Sequence, residues 1–192
     1  MTQNLDGLKV AILVAEGFEQ VELTEPKKAL ESAGAQTRIV SPVKDKVQGW
    51  NHFDKADRFT VDMPLSEADA RDFDALLLPG GVANPDQLRI IPEAIKFVRE
   101  FFSANKPVAA ICHGPWPLIE TGIVRGRTMT SWPSLKTDLI NAGAKWVDQE
   151  VVTDDGLVTS RRPDDIPAFN RKMIEAFAEG KRKHEQSAAR AS

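Results

Sequence analysis

The chain has 192 residues, 42% of them hydrophobic and 28% charged, with a formal net charge of −3. This length fits one domain with a full core, and the mildly acidic balance gives no general attraction to nucleic acid or to an anionic membrane. One cysteine rules out an internal disulfide framework and points to a reducing compartment. The polar first seven residues do not read as a signal peptide, and no apolar run approaches a membrane span. A cytoplasmic protein without a membrane or nucleic-acid partner is therefore expected. There is no N-x-S/T site and no internal repeat.

In chain order, residues 8–14 form an apolar run broken only by Lys9, a buried strand. The loop that follows carries Glu16 and Glu19 toward the C-terminal edge of the sheet. Thr24 and Pro26 suit the start of a helix that runs to about Ser32 and closes at Gly34. Residues 36–40 make a second strand, which completes a right-handed βαβ unit. Residues 43–72 are irregular: Val47 and residues 59–61 suggest a small hairpin, and Ser66 caps a short helix to Ala70. Trp50, His52 and Phe53 read as a local plug over the sheet edge rather than as a ligand site.

Residues 74–78 are a third strand, and Pro79-Gly80-Gly81 is a turn whose glycines let backbone N–H groups face a ligand. Pro85 and Pro92 each begin a helical stretch, the second with an apolar stripe of Ile95, Val98, Phe101 and Phe102. After the strand at residues 108–111 the chain breaks at Cys112-His113-Gly114 and enters a helix at residues 116–120. A strand that ends in a nucleophile and turns at once into a helix is an elbow. It puts the thiol at the sheet edge where open α/β folds keep their clefts, and it aims a helix N-terminus at the sulfur, which favours thiolate. Taken alone, a single cysteine beside an apolar run is more often a small buried hydrophobe.

Beyond the elbow, residues 124–130 suggest a strand and residues 134–141 a helix closed by Gly143. Short strands follow at residues 146–147, 151–153 and 157–159, the last two joined by an Asp155-Gly156 hairpin. A final helix from Pro163 carries Ile166, Phe169, Met173, Ile174 and Phe177 on one face and stops at Gly180. Residues 181–192 read as a polar, flexible tail. The alternation of strands and helices predicts a three-layer α/β/α sandwich around a mostly parallel sheet, one domain over residues 1–180.

Four stretches carry a family resemblance: EGFEQVE at 16–22, LPGG at 78–81, AICHGP at 110–115, and residues 148–170. Together they resemble the PfpI family, which includes intracellular protease I and bacterial general stress proteins. That family lies in the class I glutamine amidotransferase-like superfamily, whose fold is flavodoxin-like. The resemblance spans about residues 8–180. It implies that Cys112 is the nucleophile and that Glu19 is the acidic residue bonded to its sulfur. An ionised carboxylate there would raise the thiol pKa, whereas a protonated one donates to the thiolate, so a proton shared between Glu19 and Cys112 is expected. Glu16 and Glu22 are taken as structural.

The resemblance further implies an oxyanion hole made of the Gly81 and His113 N–H groups. It also implies an acidic residue from a neighbouring subunit that orients His113, which matches Asp86 and makes the catalytic unit at least a dimer. Read from the residues alone, Asp86 is equally a first-turn acid of the helix near Pro85. A direct pair between Cys112 and His113 is not assured, because adjacent residues tend to point apart.

An amidotransferase is not expected, since the only histidine beyond Gly114 is His184 in the tail and a Cys-His-Glu triad cannot be completed. There is no G-x-G-x-x-G, Walker loop, metal-ligand spacing or G-x-S-x-G, so no cofactor and no metal are expected. Two readings stay open. One is a cysteine-dependent, stress-protective enzyme acting on a small dicarbonyl such as methylglyoxal, on its protein adducts, or on a peptide bond. The other is a redox-sensing or chaperone-like stress protein that uses oxidation of Cys112.

Overall fold

The structure is a computed structural model. It describes residues 4–191, except the side chains of 184, 185 and 187–191. The first strands and helix are β1 (Lys9–Leu13), β2 (Phe18–Glu19), α1 (Gln20–Ser32) and β3 (Gln36–Ser41). A hairpin of β4 (Lys46–Asn51) and β5 (Asp54–Thr60) precedes β6 (Met63–Pro64) and β7 (Ala75–Leu78). Then come α2 (Ala83–Arg89), α3 (Pro92–Ser103), β8 (Val108–Ile111) and α4 (Trp116–Thr121). The chain ends with β9 (Thr128–Met129), α5 (Lys136–Asn141), β10 (Lys145–Trp146), β11 (Val151–Asp154), β12 (Leu157–Ser160) and α6 (Ile166–Ala191).

Seven strands form one sheet in the order β11-β12-β8-β7-β1-β3-β6. All neighbours are parallel except β11, which returns antiparallel on β12 through the Asp155-Gly156 turn. The central strands are apolar throughout because both faces are covered. Val10, Ile12, Leu77, Ala109, Ile111 and Val158 face one layer, where Leu23 and Leu30 of α1 meet Phe169, Met173 and Phe177 of α6. Ala11, Leu13, Leu76, Leu78, Val108 and Ala110 face the other, against Phe97, Val98 and Phe101 of α3, Leu118 of α4 and Leu139 of α5. The period-2 alternation of side chains thus divides one apolar run between two cores. The result is the three-layer α/β/α sandwich.

Several local expectations are corrected. Helix α1 begins at Gln20, so Thr24 is not its cap and Pro26 lies inside it. The Gln20 side chain accepts from Asp57 N–H at 2.8 Å and donates to the Asp57 carboxylate at 2.9 Å. These contacts fix the earlier helix start against β5, and Pro26 removes only one helical bond. Residues 65–67 and 70–72 form two separate 3₁₀ turns, the second capped by Asp69, in place of one short helix. Only residues 128–129 of the expected strand at 124–130 pair, with β10 and outside the main sheet. Helix α6 does not stop at Gly180 but continues to Ala191. The expectation of a flexible tail falls mostly on side chains outside the described residues. The expected aromatic plug is not one cluster: Phe53 is 93% exposed at the hairpin tip, whereas Trp50 is half-buried beside Gly17.

Candidate active site

The ends of β1, β7 and β8 meet at one edge of the sheet, and three turns leave from it. Cys112 follows β8 directly with φ 63°, a left-handed conformation uncommon outside glycine. Its N–H donates to Ser160 O at 3.0 Å and its carbonyl accepts from Trp132 N–H at 2.8 Å, so its neighbours hold this backbone in place. Gly114 is required behind it, since a Cβ there would collide with the Leu78 and Ile111 carbonyls.

The Pro79-Gly80-Gly81 turn packs against the elbow. A Cβ on Gly80 would lie 2.5 Å from the Glu22 carboxylate and 2.7 Å from Cys112 Cβ. Asn84, fully buried, braces the turn. It accepts from Ala15 N–H at 2.7 Å and donates to the Pro79 and Gly80 carbonyls at 3.0 Å. The backbone N–H groups of Gly81 and His113 both donate to the Cys112 sulfur. The expected dipole effect is not what governs this thiol: α4 starts only at Trp116. Burial pushes the thiol pKa up and a charge on Glu22 adds to this, while the two N–H groups pull it down.

The carboxyl bonded to the thiol belongs to Glu22, not Glu19, which corrects the expectation carried by the resemblance. Glu22 lies in the first turn of α1 with no exposed surface, and one of its oxygens accepts from Gly80 N–H at 2.8 Å. Burial raises its pKa to about 8, against the bonds from Cys112 and Gly80 that lower it. Its other oxygen, Oε1, meets no partner among the described residues. An ionised carboxylate would leave that oxygen buried and unmet, so the proton stays on Glu22 at neutral pH. Glu19, the residue before α1, instead accepts from His52 N–H at 3.0 Å and steadies the β4–β5 hairpin. Glu16 also serves the hairpin, accepting from Gln48 N–H at 2.7 Å.

Adjacency does not keep Cys112 and His113 apart. The left-handed turn brings His113 Nδ1 to 3.2 Å from Sγ. The imidazole is mostly buried, and burial lowers its pKa to about 4, so it is neutral at pH 7. Trp132 stacks on it with centroids 5.7 Å apart, Trp116 is tilted against it at 6.3 Å, and Ser134 Oγ lies 3.3 Å from Nε2. Asp86 is exposed on α2, and its carboxylate makes no hydrogen bond or ion pair among the described residues.

Sequence reasoning thus brings Cys112, His113 and Gly81 together and misplaces the acid. Glu22 had a legible signal: in a helix that starts before Thr24, residues 22, 26 and 30 share one face, and Pro26 and Leu30 are apolar. Asn84 and Ser134 carried no comparable signal. Among the described residues no group of three His, Cys, Asp or Glu side chains is placed to hold a metal ion, and no helix is long and apolar enough to cross a membrane.

A mostly parallel open sheet with a cysteine elbow, a buried acid and two convergent N–H groups defines a class of α/β proteins built around one thiol. Comparison with known proteins makes the assignment specific. The model of the DJ-1/PfpI family matches residues 8–176, and the chain belongs to that family. It is 45% identical over 170 residues to "General stress protein 18" of Bacillus subtilis, covering 88% of this chain and 96% of the relative. It is 44% identical over 166 residues to "Putative cysteine protease YraA" of the same organism, covering 86% and 96%. It is 42% identical over 167 residues to "Deglycase PH1704" of Pyrococcus horikoshii, covering 87% and 98%. The solved structure of Drosophila melanogaster DJ-1beta superposes with a TM-score of 0.80 at 29% identity, covering 95% of this chain and 96% of that one.

Proposed function

We propose that this protein is a cysteine-dependent, stress-protective enzyme acting on reactive carbonyl compounds or their protein adducts. The observation that supports this most is the meeting of a protonated Glu22, a neutral His113 and two N–H donors on one sulfur. The thiol proton passes to His113 Nδ1 as Sγ adds to the aldehyde carbon of a dicarbonyl such as methylglyoxal. The new alkoxide develops where the Gly81 and His113 N–H groups point, the role of an oxyanion hole. Glu22 donates its proton to that oxygen and, once ionised, takes the C–H proton of the former aldehyde carbon. Return of that proton to the former ketone carbon, with the hydroxyl proton of the first carbon passing to the ketone oxygen, gives a 2-hydroxy thioester. Water then adds its hydroxide to the acyl carbon and its proton to Glu22, and the imidazolium reprotonates the departing sulfur, which releases the hydroxy acid and the thiol. No external oxidant is consumed: one carbon is oxidised as its neighbour is reduced. This chemistry calls for no cofactor.

Asp86 enters from outside the chain. Its exposed and unpaired carboxylate suits a homo-oligomer, at least a dimer, in which it orients His113 of the neighbouring subunit. The test of the function is methylglyoxal consumption and lactate formation by reduced wild type and by Cys112→Ala in a buffer free of amines. Turnover in the wild type alone supports the proposal; none in either sinks it.

A peptidase is the second reading. The Cys112–His113 contact at 3.2 Å favours it, because peptide hydrolysis needs a base that can later protonate the leaving amine. Release of a fluorescent amine from peptide substrates, lost in Cys112→Ala, separates this reading from the first. Oxidation of Cys112 as a sensing event is separated from both by peroxide titration followed by intact mass.

A further inference from the structure

Among the described residues no carboxylate bonds the His113 ring as in a catalytic triad, yet the ring has a neighbour on its faces and at both nitrogens. Trp132 and Trp116 lie against it and limit its tilt. Trp116 is itself held, its Nε1 donating to Asp138 at 3.1 Å and its ring lying 4.8 Å beneath the Arg89 guanidinium. Those contacts flank the ring faces, Nδ1 meets the Cys112 sulfur at 3.2 Å, and Nε2 is the remaining polar atom through which a neighbour can fix the ring and its tautomer.

Ser134 Oγ sits at this nitrogen, at 3.3 Å. It rides on a 3₁₀ turn, Pro133–Leu135, which has a proline at its start and a buried leucine at its end. The same turn is tied to the elbow through Trp132 N–H, which donates to the Cys112 carbonyl at 2.8 Å. Two residues of one short segment, Trp132 and Ser134, therefore hold the nucleophile's backbone, the face of the histidine and its far nitrogen.

We propose that Ser134 is the positioning residue that its own chain supplies to His113, beside any contribution of the partner's Asp86: it takes the Nε2–H bond, so that the unprotonated Nδ1 faces the Cys112 thiol. In a neutral imidazole one nitrogen donates and the other accepts, so an acceptor at Nε2 leaves the lone pair on Nδ1. A hydroxyl does this without a negative charge, so Ser134 orients the ring and itself supplies no counter-charge to the imidazolium; that would come from the partner's Asp86. Because Ser134 acts within one chain, its effect does not fall on dilution, unlike any contribution from the partner's Asp86.

This inference rests on the reading of Cys112 as nucleophile, and the experiment separates the two. Nitrogen-15 spectra of labelled protein, with the His113 signals assigned through His113→Gln, report the tautomer. Iodoacetamide alkylation at pH 7, read by intact mass, reports the thiol. Wild type is expected to show the Nε2–H form. Ser134→Ala shows a mixture of tautomers and alkylates about tenfold more slowly, the scale of one hydrogen bond, and Ser134→Thr restores both. Thermal melts confirm that all variants fold. A Ser134→Ala protein with the wild-type tautomer and rate overturns the inference and leaves the nucleophile in place. A wild-type Cys112 that neither alkylates nor turns over a carbonyl overturns the nucleophile reading, while the tautomer still decides the role of Ser134.

Discussion

The Glu22 carboxyl interacts with the Cys112 thiol and, through the oxygen that accepts from Gly80 N–H at 2.8 Å, with the glycine turn. This fully buried bridge links the first helix to the elbow and to the glycine turn. It makes Glu22, rather than Glu19, the acid of the site.

Glu22→Gln is expected to cut carbonyl turnover by about 10²- to 10⁴-fold, the usual contribution of a positioned acid–base group. Glu19→Gln, which loosens only the His52 contact, keeps most of the activity. Steady-state rates of the two variants decide between the acids, and a larger loss in Glu19→Gln would refute the assignment.

Stability should fall as pH rises from about 6.5 to 8. Glu22 holds its proton up to about 8 in the folded state but only to about 4.5 unfolded, so above 4.5 the folded state binds the extra proton. His113 acts in the opposite sense between 6.5 unfolded and about 4 folded, and the two offset each other below 6.5. Above that pH Glu22 is the main contributor, with the buried Cys112 thiol adding in the same sense only as pH nears 9, and the loss is on the order of a few kcal/mol. Urea unfolding at pH 6.5 and 8.5 should show a drop in wild type and a nearly flat response in Glu22→Gln. A wild type equally stable at both values would exclude a protonated Glu22.

Gly80→Ala is expected to destabilise the protein by about 1–3 kcal/mol, the scale of forcing atoms into a packed site. The new Cβ would lie within 2.8 Å of Glu22, Cys112 and the Ile111 carbonyl at once. Activity should be lost even below the melting temperature, because the carboxyl and the thiol must separate. Circular dichroism melts and turnover together check this.

Asp86→Asn should change stability by less than about 0.5 kcal/mol, as for an exposed side chain without a partner. If its carboxylate serves the neighbouring subunit, mixing Asp86→Asn with Cys112→Ala protein restores turnover, since the mixed assembly holds one complete site. Mixtures no more active than either variant alone, with subunit exchange verified by mass, would place Asp86 outside the mechanism.

The sheet, the elbow and the glycine turn were legible in the sequence because each rests on local chemistry. Apolar runs too continuous for an exposed face must be strands buried on both sides. The Pro-Gly-Gly turn and the Cys-His-Gly elbow must end them where no side chain fits. What needed the tertiary structure was every choice set by distant partners. Gln20 gripping Asp57 moved the start of α1 and turned Glu22, not Glu19, into the sheet edge. The left-handed Cys112, held by Ser160 and Trp132, folded an adjacent histidine back onto its own neighbour. A serine twenty-one residues away took the far nitrogen of that ring. The sequence by itself determined that a thiol would stand at the open edge of a parallel sheet. Which carboxyl shares its proton was decided only by packing, because burial both selects the neighbour and raises that neighbour's pKa.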